Sequence, residues 1–124
     1  MKKIVFIVAS VFLIVSCNNL KDNEFLIAGT IAGVENGKKV FIEVQTETGS
    51  VAKDTAVVTN GKFELKGITD GIDIGFIRIE NLDINLPIIL EEGKIKVEIV
   101  KDSIQKSTIG GTPNNEKFQK FNKN

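Results

Sequence analysis

The sequence predicts an all-β domain: an antiparallel β-sandwich or a partly open barrel of about seven strands, with an N-terminal signal helix and a short C-terminal helix. Apolar residues recur mainly with period two from Phe25 onward, as they do in strands that bury one face. Short links rich in turn-forming residues separate these runs, a spacing typical of sandwiches and barrels. The chain of 124 residues is long enough for one domain with a modest core.

Runs with this alternation are the predicted strands. They cover residues 25–34, 39–47, 51–59, 62–66, 75–80, 86–91 and 94–100. One-sided burial of this kind favours antiparallel pairing. Pro87 lacks an N–H group, so its strand is predicted to lie at a sheet edge or to begin there.

The apolar phase of each strand predicts which residues form the core. Burying one such side chain contributes about 1.5–3 kcal/mol before the loss of entropy. The predicted core consists of Ile27, Ile31, Val40, Ile42, Val44, Val57, Phe63, Leu65, Ile77, Ile79, Ile88, Leu90, Ile95, Val97 and Ile99.

Turn-forming dipeptides separate several of the predicted strands. Asn36-Gly37 and Asn60-Gly61 are predicted to be two-residue hairpin turns, because such turns need φ > 0 at both central positions and these residues tolerate it. Thr48-Gly49-Ser50 and Glu92-Gly93 predict two further reversals.

The first 16 residues are predicted to be the signal peptide of a lipoprotein. Met1-Lys2-Lys3 gives a positive start, and a nearly unbroken apolar run follows up to the small Ser16 and then Cys17. The run Ile14-Val15-Ser16-Cys17 resembles the lipobox of bacterial lipoproteins, with Ile14 where Leu is more typical. This resemblance implies cleavage between Ser16 and Cys17 and lipidation of the Cys17 thiol. The mature protein is then expected in the cell envelope, lipid-anchored to a bacterial membrane on the periplasmic side or in the outer membrane.

Two alternatives for this segment are a transmembrane anchor and an ordinary secretory signal. The apolar run is much shorter than the ~20 residues that spanning a bilayer requires, and the polar Asn18 and Asn19 follow Cys17 at once. Cys17 is the only cysteine of the chain and sits where lipidation needs it, which favours the lipoprotein interpretation over a chance residue. Two or three acyl chains would anchor the protein stably, since each buried methylene contributes ~0.8 kcal/mol.

The rest of the chain divides into a tether, a domain and a short helix. Residues 17–24 are polar and lack periodicity, so they are predicted to hold the domain clear of the lipid headgroups. Residues 25–110 form the predicted β-sandwich domain, and residues 111–124 a helical stub. Thr112 is its predicted N-cap and Pro113 its first residue.

Composition restricts the chemistry that the chain can perform. It contains no His and a single Cys, so Ser–His and Cys–His nucleophile pairs, the usual zinc sites and an internal disulfide are excluded within it. Acidic and basic side chains number 16 each, and removing the predicted signal leaves a slight acidic excess rather than a basic surface for nucleic acid. We therefore predict no catalytic residue, no metal site, no cofactor and no nucleic-acid partner, and we expect the chain not to be an enzyme.

Several acidic residues are weighed as candidate sites. Asp54 could bind a ligand, but pinning the hairpin toward Asn60-Gly61 is the favoured role. Asp70-Gly71-Ile72-Asp73 loosely resembles a calcium loop, yet it lacks the Asp-x-Asp-x-Asp-Gly spacing and the closing Glu, and Asp83 is a further isolated loop acid. Glu91 and Glu92 could pair for acid–base work, but adjacent strand residues point to opposite faces, so a charged turn is favoured.

The phenylalanines offer a different kind of candidate site. Five of them are considered as a binding patch for an extended partner, which would require several of them to be exposed together. Packing in the core or at an interface is the favoured role. The five are Phe25, Phe41, Phe76, Phe118 and Phe121.

A set of motifs in fixed order suggests a family. Gly29-Thr30-Ile31 and Gly37-Lys38-Lys39-Val40-Phe41-Ile42 precede Asp54-Thr55-Ala56-Val57-Val58, which leads into Asn60-Gly61-Lys62-Phe63-Glu64-Leu65-Lys66-Gly67. Leu90-Glu91-Glu92-Gly93 and Gly110-Gly111-Thr112-Pro113-Asn114-Asn115 follow. Over residues 25–122 this order resembles domain of unknown function 4369, the N-terminal β domain of Bacteroidota lipoproteins that usually precedes a thioredoxin-like module of the TlpA/ResA type.

The resemblance implies a role beside thiol–disulfide chemistry but supplies no redox residue. Members usually continue through a helix into a thioredoxin-like domain with Cys-x-x-Cys, and this sequence contains no such motif. The first expectation is a membrane-anchored, non-catalytic interaction or dimerisation module that serves a thiol–disulfide system. The alternatives are the front part of a membrane-anchored thiol–disulfide oxidoreductase, and an envelope lipoprotein that binds a small ligand or glycan. The absence of Trp and Tyr disfavours glycan binding.

Overall fold

Residues 20–123 are described by a computed structural model, and the predicted signal peptide, its helix, Ser16 and Cys17 lie outside the described residues. Eight strands run β1 (Glu24–Ile31), β2 (Lys39–Thr46), β3 (Gly49–Val57), β4 (Lys62–Ile68), β5 (Asp73–Ile79), β6 (Asn85–Leu90), β7 (Gly93–Ile99) and β8 (Thr108–Gly110). A 3₁₀ turn at Ile104–Lys106 precedes β8, and helix α1 (Pro113–Lys123) follows it. All of the predicted strands are confirmed within a few residues at their ends, whereas β8 is too short to leave a period-two signal.

The strands form two four-stranded sheets. Sheet 1 has the order β4-β1-β7-β8, and sheet 2 has the order β3-β2-β5-β6. The chain crosses between the sheets several times. The inward apolar side chains of both sheets belong to one common core. The structure is therefore a sandwich rather than a barrel. Pro87 lies in β6 at an edge of sheet 2, as its missing N–H predicts.

One strand pair differs from the predicted antiparallel arrangement. β1 and β7 run parallel, with Ile27 opposite Ile95 and Ile31 opposite Ile99. The other pairs are antiparallel. Alternation fixes only which face of a strand is buried, and β1 and β7 are far apart in the chain. No turn between them constrains their relative direction, and the prediction was wrong at this pair.

The core prediction fails at one residue. Val57 is 51% exposed, whereas Val58 is fully buried. The cause is a β-bulge in β3: Ile42 pairs with Asp54 and Glu43 with Ala52, which leaves Lys53 as an extra residue. The bulge shifts the inward-facing phase of β3 by one position, so the alternation does not continue to Val57.

The remaining predicted core residues are all buried, and the core extends beyond them. Phe25 lies fully buried at the start of β1, and Val58 follows the end of β3. The other additions come from β6, β8 and the link between β5 and β6. They are Ile84, Leu86 and Ile109.

Reciprocal Phe–Gly pairs join β1 to β4 on the core side. Gly29 lies opposite Phe63 and Phe25 opposite Gly67. A Cβ atom on Gly29 would lie 2.1 Å from Phe63 Cζ, and one on Gly67 would lie 2.7 Å from Phe25 Cζ. Each aromatic ring therefore occupies the space that a side chain on the opposite glycine would need, which explains both glycines within the motifs.

The predicted Asn-Gly hairpins have different outcomes. Asn60 and Gly61 both have positive φ, 52° and 74°, and Thr59 and Lys62 exchange backbone hydrogen bonds around them. At Asn36-Gly37 the hairpin prediction was wrong, because only Gly37 has positive φ and the segment carries the chain from sheet 1 to sheet 2. Asn36 instead accepts a hydrogen bond from the Asn60 N–H through Oδ1, at 2.8 Å.

The predicted reversals around Gly49 and Gly93 are present, with φ of 127° and 124° at these glycines. At the start of the domain, β1 begins at Glu24, so this residue of the predicted tether belongs to the sandwich. At the end, α1 begins at Pro113 as predicted, and the Glu116 N–H donates to the Thr112 carbonyl as expected for an N-cap residue.

Candidate functional site

The motif around Glu91 and the motif that opens α1 meet in space. The Glu91 carboxylate, which is 7% exposed, accepts hydrogen bonds from the backbone N–H groups of Asn114 at 2.9 Å and Asn115 at 3.2 Å. It also accepts one from Asn114 Nδ2 at 2.8 Å. A helix leaves its first N–H groups without partners, so Glu91 caps α1 from the link between β6 and β7. We call Glu91, Thr112, Asn114 and Asn115 the helix joint.

The charge state of Glu91 follows from this arrangement. Burial raises the pKa of the Glu91 carboxyl. Hydrogen bonds from the Thr112 and Asn114 side chains and from the Asn114 and Asn115 backbone lower this pKa by more, so the net pKa lies below the ordinary value. Glu91 is therefore a carboxylate at neutral pH. A carboxylate held in this state cannot supply a proton near neutrality, which argues for a structural role rather than a general acid.

Asn115 attaches the helix to the edge of sheet 2. It is fully buried; its Oδ1 accepts from the Ile89 N–H at 2.9 Å, and its Nδ2 donates to the Ile89 carbonyl at 2.7 Å. The same Nδ2 donates to Thr112 Oγ1 at 2.8 Å. The side-chain amide thus pairs with the edge strand β6 as a neighbouring strand would.

The opposite side of the helix fastens to sheet 1. Gln119 Oε1 accepts from the Ile109 N–H of β8 at 2.7 Å, and Glu116 Oε2 accepts from the Gly111 N–H at 2.9 Å. Gly111 has φ of 96°, and a Cβ atom there would lie 2.5 Å from the Lys94 carbonyl oxygen. Helix α1 therefore closes the side of the sandwich between edge strands β6 and β8.

Asp54 closes the other side. Its Oδ2 accepts from the Lys66 N–H at 2.7 Å, so it joins edge strand β3 of sheet 2 to edge strand β4 of sheet 1. Lys53, the bulged residue beside it, donates through Nζ to the Ile68 carbonyl at 2.8 Å. Asp54 pins the two strands that flank Asn60-Gly61, which is the role that the sequence favours for it.

The outer faces of the two sheets differ in character. On sheet 1 the outward residues of the central strand β1 beyond Glu24 are uncharged, and β4 ends on the exposed Ile68. The other outward residues of β4 and β7 are lysines and glutamates, namely Lys62, Glu64, Lys66, Lys94, Lys96 and Glu98. On sheet 2 they include a set that we call the outer apolar patch: Phe41, Ile74, Phe76, Pro87 and Ile89. Within this patch Ile74 lies opposite Ile89 and Phe76 opposite Pro87.

One ion pair crosses the outer apolar patch. Arg78 donates through Nη1 to both carboxylate oxygens of Glu43 at 3.2 Å. The Arg78 side chain is 54% exposed, so the pair contributes at most about 1 kcal/mol. The patch is thus an apolar surface with one polar pair rather than a second core.

The motifs identify the family once their places are known. The family described as "Domain of unknown function (DUF4369)" matches residues 25–118, from the first core residue of β1 into α1. The chain belongs to the DUF4369 family. No curated protein and no solved structure matches the chain.

The motifs of this DUF4369 chain have structural explanations in the sandwich. Asp54 and Lys66 join β3 to β4, Gly29 and Gly67 accommodate phenylalanine rings, and Glu91 with Asn115 fixes α1. Every buried side-chain nitrogen and oxygen among the described residues has a hydrogen-bond partner.

The loop acids of the DUF4369 domain are not brought together. Asp70, Asp73 and Asp83 are exposed, and Asp73 accepts a hydrogen bond from the Ile74 N–H at 2.8 Å. Within residues 20–123 no group of three or more metal-ligating side chains clusters. The pair Glu91-Glu92 divides as the alternation predicts, with Glu91 buried and Glu92 exposed.

The five candidate phenylalanines do not form one surface. Phe25 is in the core, Phe41 and Phe76 are half-buried in the outer apolar patch, and Phe118 is half-buried on α1. Phe121 is 81% exposed on α1. The hypothesis of a single phenylalanine patch was wrong, because strand alternation sends Phe25 inward while Phe41 and Phe76 point outward.

Sequence reasoning missed the roles of Glu91, Asn114 and Asn115. Their signal was present in the order of motifs, because the Glu-Glu-Gly and Gly-Thr-Pro-Asn-Asn stretches both belong to the family pattern. Nothing in the chain between them indicates that they touch. The outer apolar patch had a weaker signal, the consecutive apolar residues Ile88 and Ile89, which put one apolar side chain on each face of β6.

A shallow depression lies at the end of the sandwich opposite Glu91. It measures about 560 Å³ and is lined by residues that include Thr30, Asn60, Lys62 and Asp102. It is open to solvent, and the Lys101 Nζ beside it donates to the Gly33 carbonyl at 2.9 Å.

Within residues 20–123 no helix has the length and apolar character that crossing a membrane requires.

Proposed function

We propose that this DUF4369 chain is a membrane-anchored lipoprotein whose β-sandwich is a non-catalytic interaction module, accessory to a thiol–disulfide redox system. The anchoring part rests on the sequence, where the sole cysteine follows an export signal directly. The redox context rests on the resemblance described above. The structure contributes the observation that carries the interaction role.

That observation is the contrast between the two outer faces. The outer face of sheet 1 carries lysines and glutamates along β4 and β7, whereas sheet 2 exposes the outer apolar patch, whose apolar side chains lie on three neighbouring strands. Contiguous apolar surface on a soluble domain marks interaction sites more often than it occurs by chance. The module therefore offers one face suited to a protein partner.

The polar groups of the motifs support a non-catalytic role. Glu91 caps a helix, Asp54 pins β4, and Asn115 completes the edge of β6. These side chains hold the fold and have their hydrogen-bonding capacity committed to it. The partner proposed for the patch is a thioredoxin-like thiol–disulfide module.

An insulin-reduction assay tests the non-catalytic part. The mature chain alone is expected to give no turnover with dithiothreitol as the electron source, because it holds one thiol and that thiol is acylated. Turnover by the purified chain would overturn this part of the proposal.

The partner is tested by titrating a thioredoxin-like protein from the same genome into the labelled chain and following backbone amide shifts. Shifts are expected at Phe41, Phe76 and Ile89, and Phe76→Ser is expected to remove them. Glu64→Ser on the other outer face is the matched control and is expected to leave them unchanged. Shifts confined to sheet 1 would contradict the assignment of the patch.

A second candidate makes this module the front part of a membrane-anchored thiol–disulfide oxidoreductase. It is favoured by the family match, which extends into α1, since the resemblance implies that this helix leads into a thioredoxin-like domain. Sequencing the DNA that follows the codon for Asn124 decides between the two. A thioredoxin-like reading frame in phase supports the second candidate, and an unrelated neighbour supports the first.

A further inference from the structure

The chain enters the sandwich at one end, which we call the tether end and define by residues 21–24, 68–74 and 91–92. The Asn23 carbonyl accepts a hydrogen bond from the Thr69 N–H at 2.8 Å, and the Asn23 N–H donates to Glu92 Oε1 at 3.2 Å. The Lys21 N–H donates to Glu24 Oε1 at 2.9 Å. The residues before β1 are thus folded against this end rather than extended away from it.

Exposed isoleucines concentrate at the tether end. Among the described residues six large apolar side chains are strongly exposed, and three of them lie within residues 68–74: Ile68 at 55%, Ile72 at 64% and Ile74 at 55%. Ile68 lies on the outer face of sheet 1, Ile74 on that of sheet 2, and Ile72 in the loop between them. They therefore surround the tip of the domain on three sides.

The distance to the predicted lipid anchor is short. Cys17 is separated from Leu20, the first described residue, by three peptide steps, and a fully extended chain covers at most about 11 Å over three residues. The headgroup layer of one leaflet is roughly 5–8 Å thick. Acyl chains on Cys17 would therefore keep the tether end at the membrane surface.

We propose that the tether end docks on the lipid bilayer, with Ile68, Ile72 and Ile74 inserted at the headgroup–acyl boundary. This inference rests on the proposed lipidation of Cys17. A bilayer is the occupant that fits, because the short segment between Cys17 and Leu20 would hold these side chains beside the membrane. A protein partner would have to compete with the membrane for the same end. The three isoleucines leave water on docking, which favours the contact.

The charges at the tether end define the kind of membrane contact. Lys21 is the only basic residue in the ranges that define this end, and it lies beside the exposed acids Asp22, Asp70, Asp73 and Glu92. Acidic side chains outnumber basic ones here, so this end is not attracted to anionic lipid, and the isoleucines supply the driving force. Docking is therefore expected on vesicles of uncharged phosphatidylcholine. The extent of docking is expected to change little with salt concentration.

Docking would fix the orientation of the whole domain. Strands β1 and β7 run away from the tether end, so the turn at residues 59–62 and the loop at 80–84 point away from the bilayer. Ile74 then forms the membrane-facing edge of the outer apolar patch. The rest of the patch, Phe41, Phe76, Pro87 and Ile89, faces sideways toward partners anchored in the same leaflet.

Single tryptophan reporters test the proposal, since the chain has no Trp of its own. The lipidated full chain is prepared with Ile72→Trp and placed in phosphatidylcholine vesicles that carry brominated acyl chains. The expected result is a blue-shifted emission and a loss of intensity from bromine quenching. Ile68→Trp gives a second reporter in case the first variant does not fold.

The matched control is Glu35→Trp, an exposed position beyond the end of β1 at the opposite end of the domain. Its emission is expected to stay red-shifted and unquenched by the brominated lipid. If both reporters at the tether end behave like Trp at position 35 in vesicle-bound, acylated chain, the docking proposal is overturned. Shielding of position 72 without vesicles, rising with protein concentration, would also overturn it by identifying a second copy as the occupant.

The outcome separates this inference from the proposed anchor. The mass of the N-terminal peptide reports acylation of Cys17 independently of tryptophan depth. A chain that is acylated and vesicle-bound but has unquenched reporters retains its anchor and loses only the docking. A chain without acylation contradicts the anchor itself.

Discussion

Glu91 shows how a single buried charge can serve the fold rather than chemistry. Its carboxylate replaces water for the first N–H groups of α1, and the favourable end of the helix dipole faces it. The acid also joins two chain segments that lie more than twenty residues apart. A residue of this kind is expected to affect stability strongly and any binding at the outer apolar patch weakly.

Replacing Glu91 with Gln is expected to lower the free energy of unfolding at pH 7 by about 1.5–3 kcal/mol, the usual range for hydrogen bonds to a charged group. The amide keeps the shape of the side chain but turns an N–H group toward donors. Urea unfolding followed by circular dichroism measures the change. Glu64→Gln removes the same charge from an exposed site and is expected to change stability by no more than a few tenths of a kcal/mol.

The pH dependence of stability follows from the lowered pKa of Glu91. Because the folded-state pKa lies below the unfolded one, the stabilisation is fully present above the unfolded pKa and is lost as pH falls through the folded pKa. The difference between wild type and Glu91→Gln should therefore shrink as the pH is lowered below about 4.5. A difference that grows on acidification would contradict the assignment.

Asn115 has an equally local role that can be measured residue by residue. Asn115→Ala leaves the N–H and C=O groups of Ile89 unpaired beneath α1, at an expected cost of about 2–4 kcal/mol for two unsatisfied groups. Hydrogen exchange of the Ile89 amide should accelerate beyond the change in global stability. Lys117→Ala, at an exposed helix position, is the control, and equal acceleration in both variants would refute the proposed pairing.

At the scale of elements, the edges of the two sheets are closed by different devices. Helix α1 bridges β6 and β8, and a single carboxylate, Asp54, joins β3 to β4. Exposed sheet edges invite pairing with other chains, and the bulge at Lys53 interrupts the exposed edge of β3 as well. The motifs at these edges are thus explained by closure of the sandwich.

Asp54→Ala is expected to destabilise the protein by about 0.5–1.5 kcal/mol, the usual net contribution of one hydrogen bond, since the Lys66 N–H loses its acceptor at an exposed site. Asp54→Asn retains an oxygen that can accept the same bond and is expected to recover most of the loss. Thermal unfolding of the pair measures both values. Equal destabilisation by the two substitutions would mean that the hydrogen bond is not what Asp54 contributes.

The elements also show which part of the fold the sequence could predict. Period-two alternation identifies every strand that is long enough to repeat, and Pro113 after Thr112 marks the start of α1. Alternation says nothing about pairing between distant strands, so the parallel β1–β7 pair was not predictable. No turn residue in the sequence indicates the bulge at Lys53. The alternation therefore predicts Val57 in the core, whereas Val58 is the buried residue.

The candidate site was less predictable than the fold for a related reason. The helix joint needs Glu91 and Asn115 to meet, and that contact depends on the path through β7 and β8. The sequence did exclude His-dependent and disulfide chemistry by composition alone. What it could not supply was the strand order of sheet 2, which brings Phe41 of β2, Phe76 of β5 and Ile89 of β6 together in the outer apolar patch.

At the scale of the whole molecule, the sandwich has two unlike outer faces and a tip with three exposed isoleucines, and the proposed lipid anchor lies beside that tip. The outer face of sheet 1 carries lysines and glutamates, and the apolar face of sheet 2 is the proposed contact surface for a partner. The tether end would hold the domain at the bilayer and set the direction of both faces.

The most direct test of this account is the mass of the N-terminal peptide of the protein extracted from membranes of a bacterial expression host. The expected peptide begins at Cys17 and carries two or three acyl chains, and a Cys17→Ser variant is expected to lose the acyl mass. A peptide that begins at Met1, or an unmodified Cys17 in membrane-bound protein, would contradict this expectation.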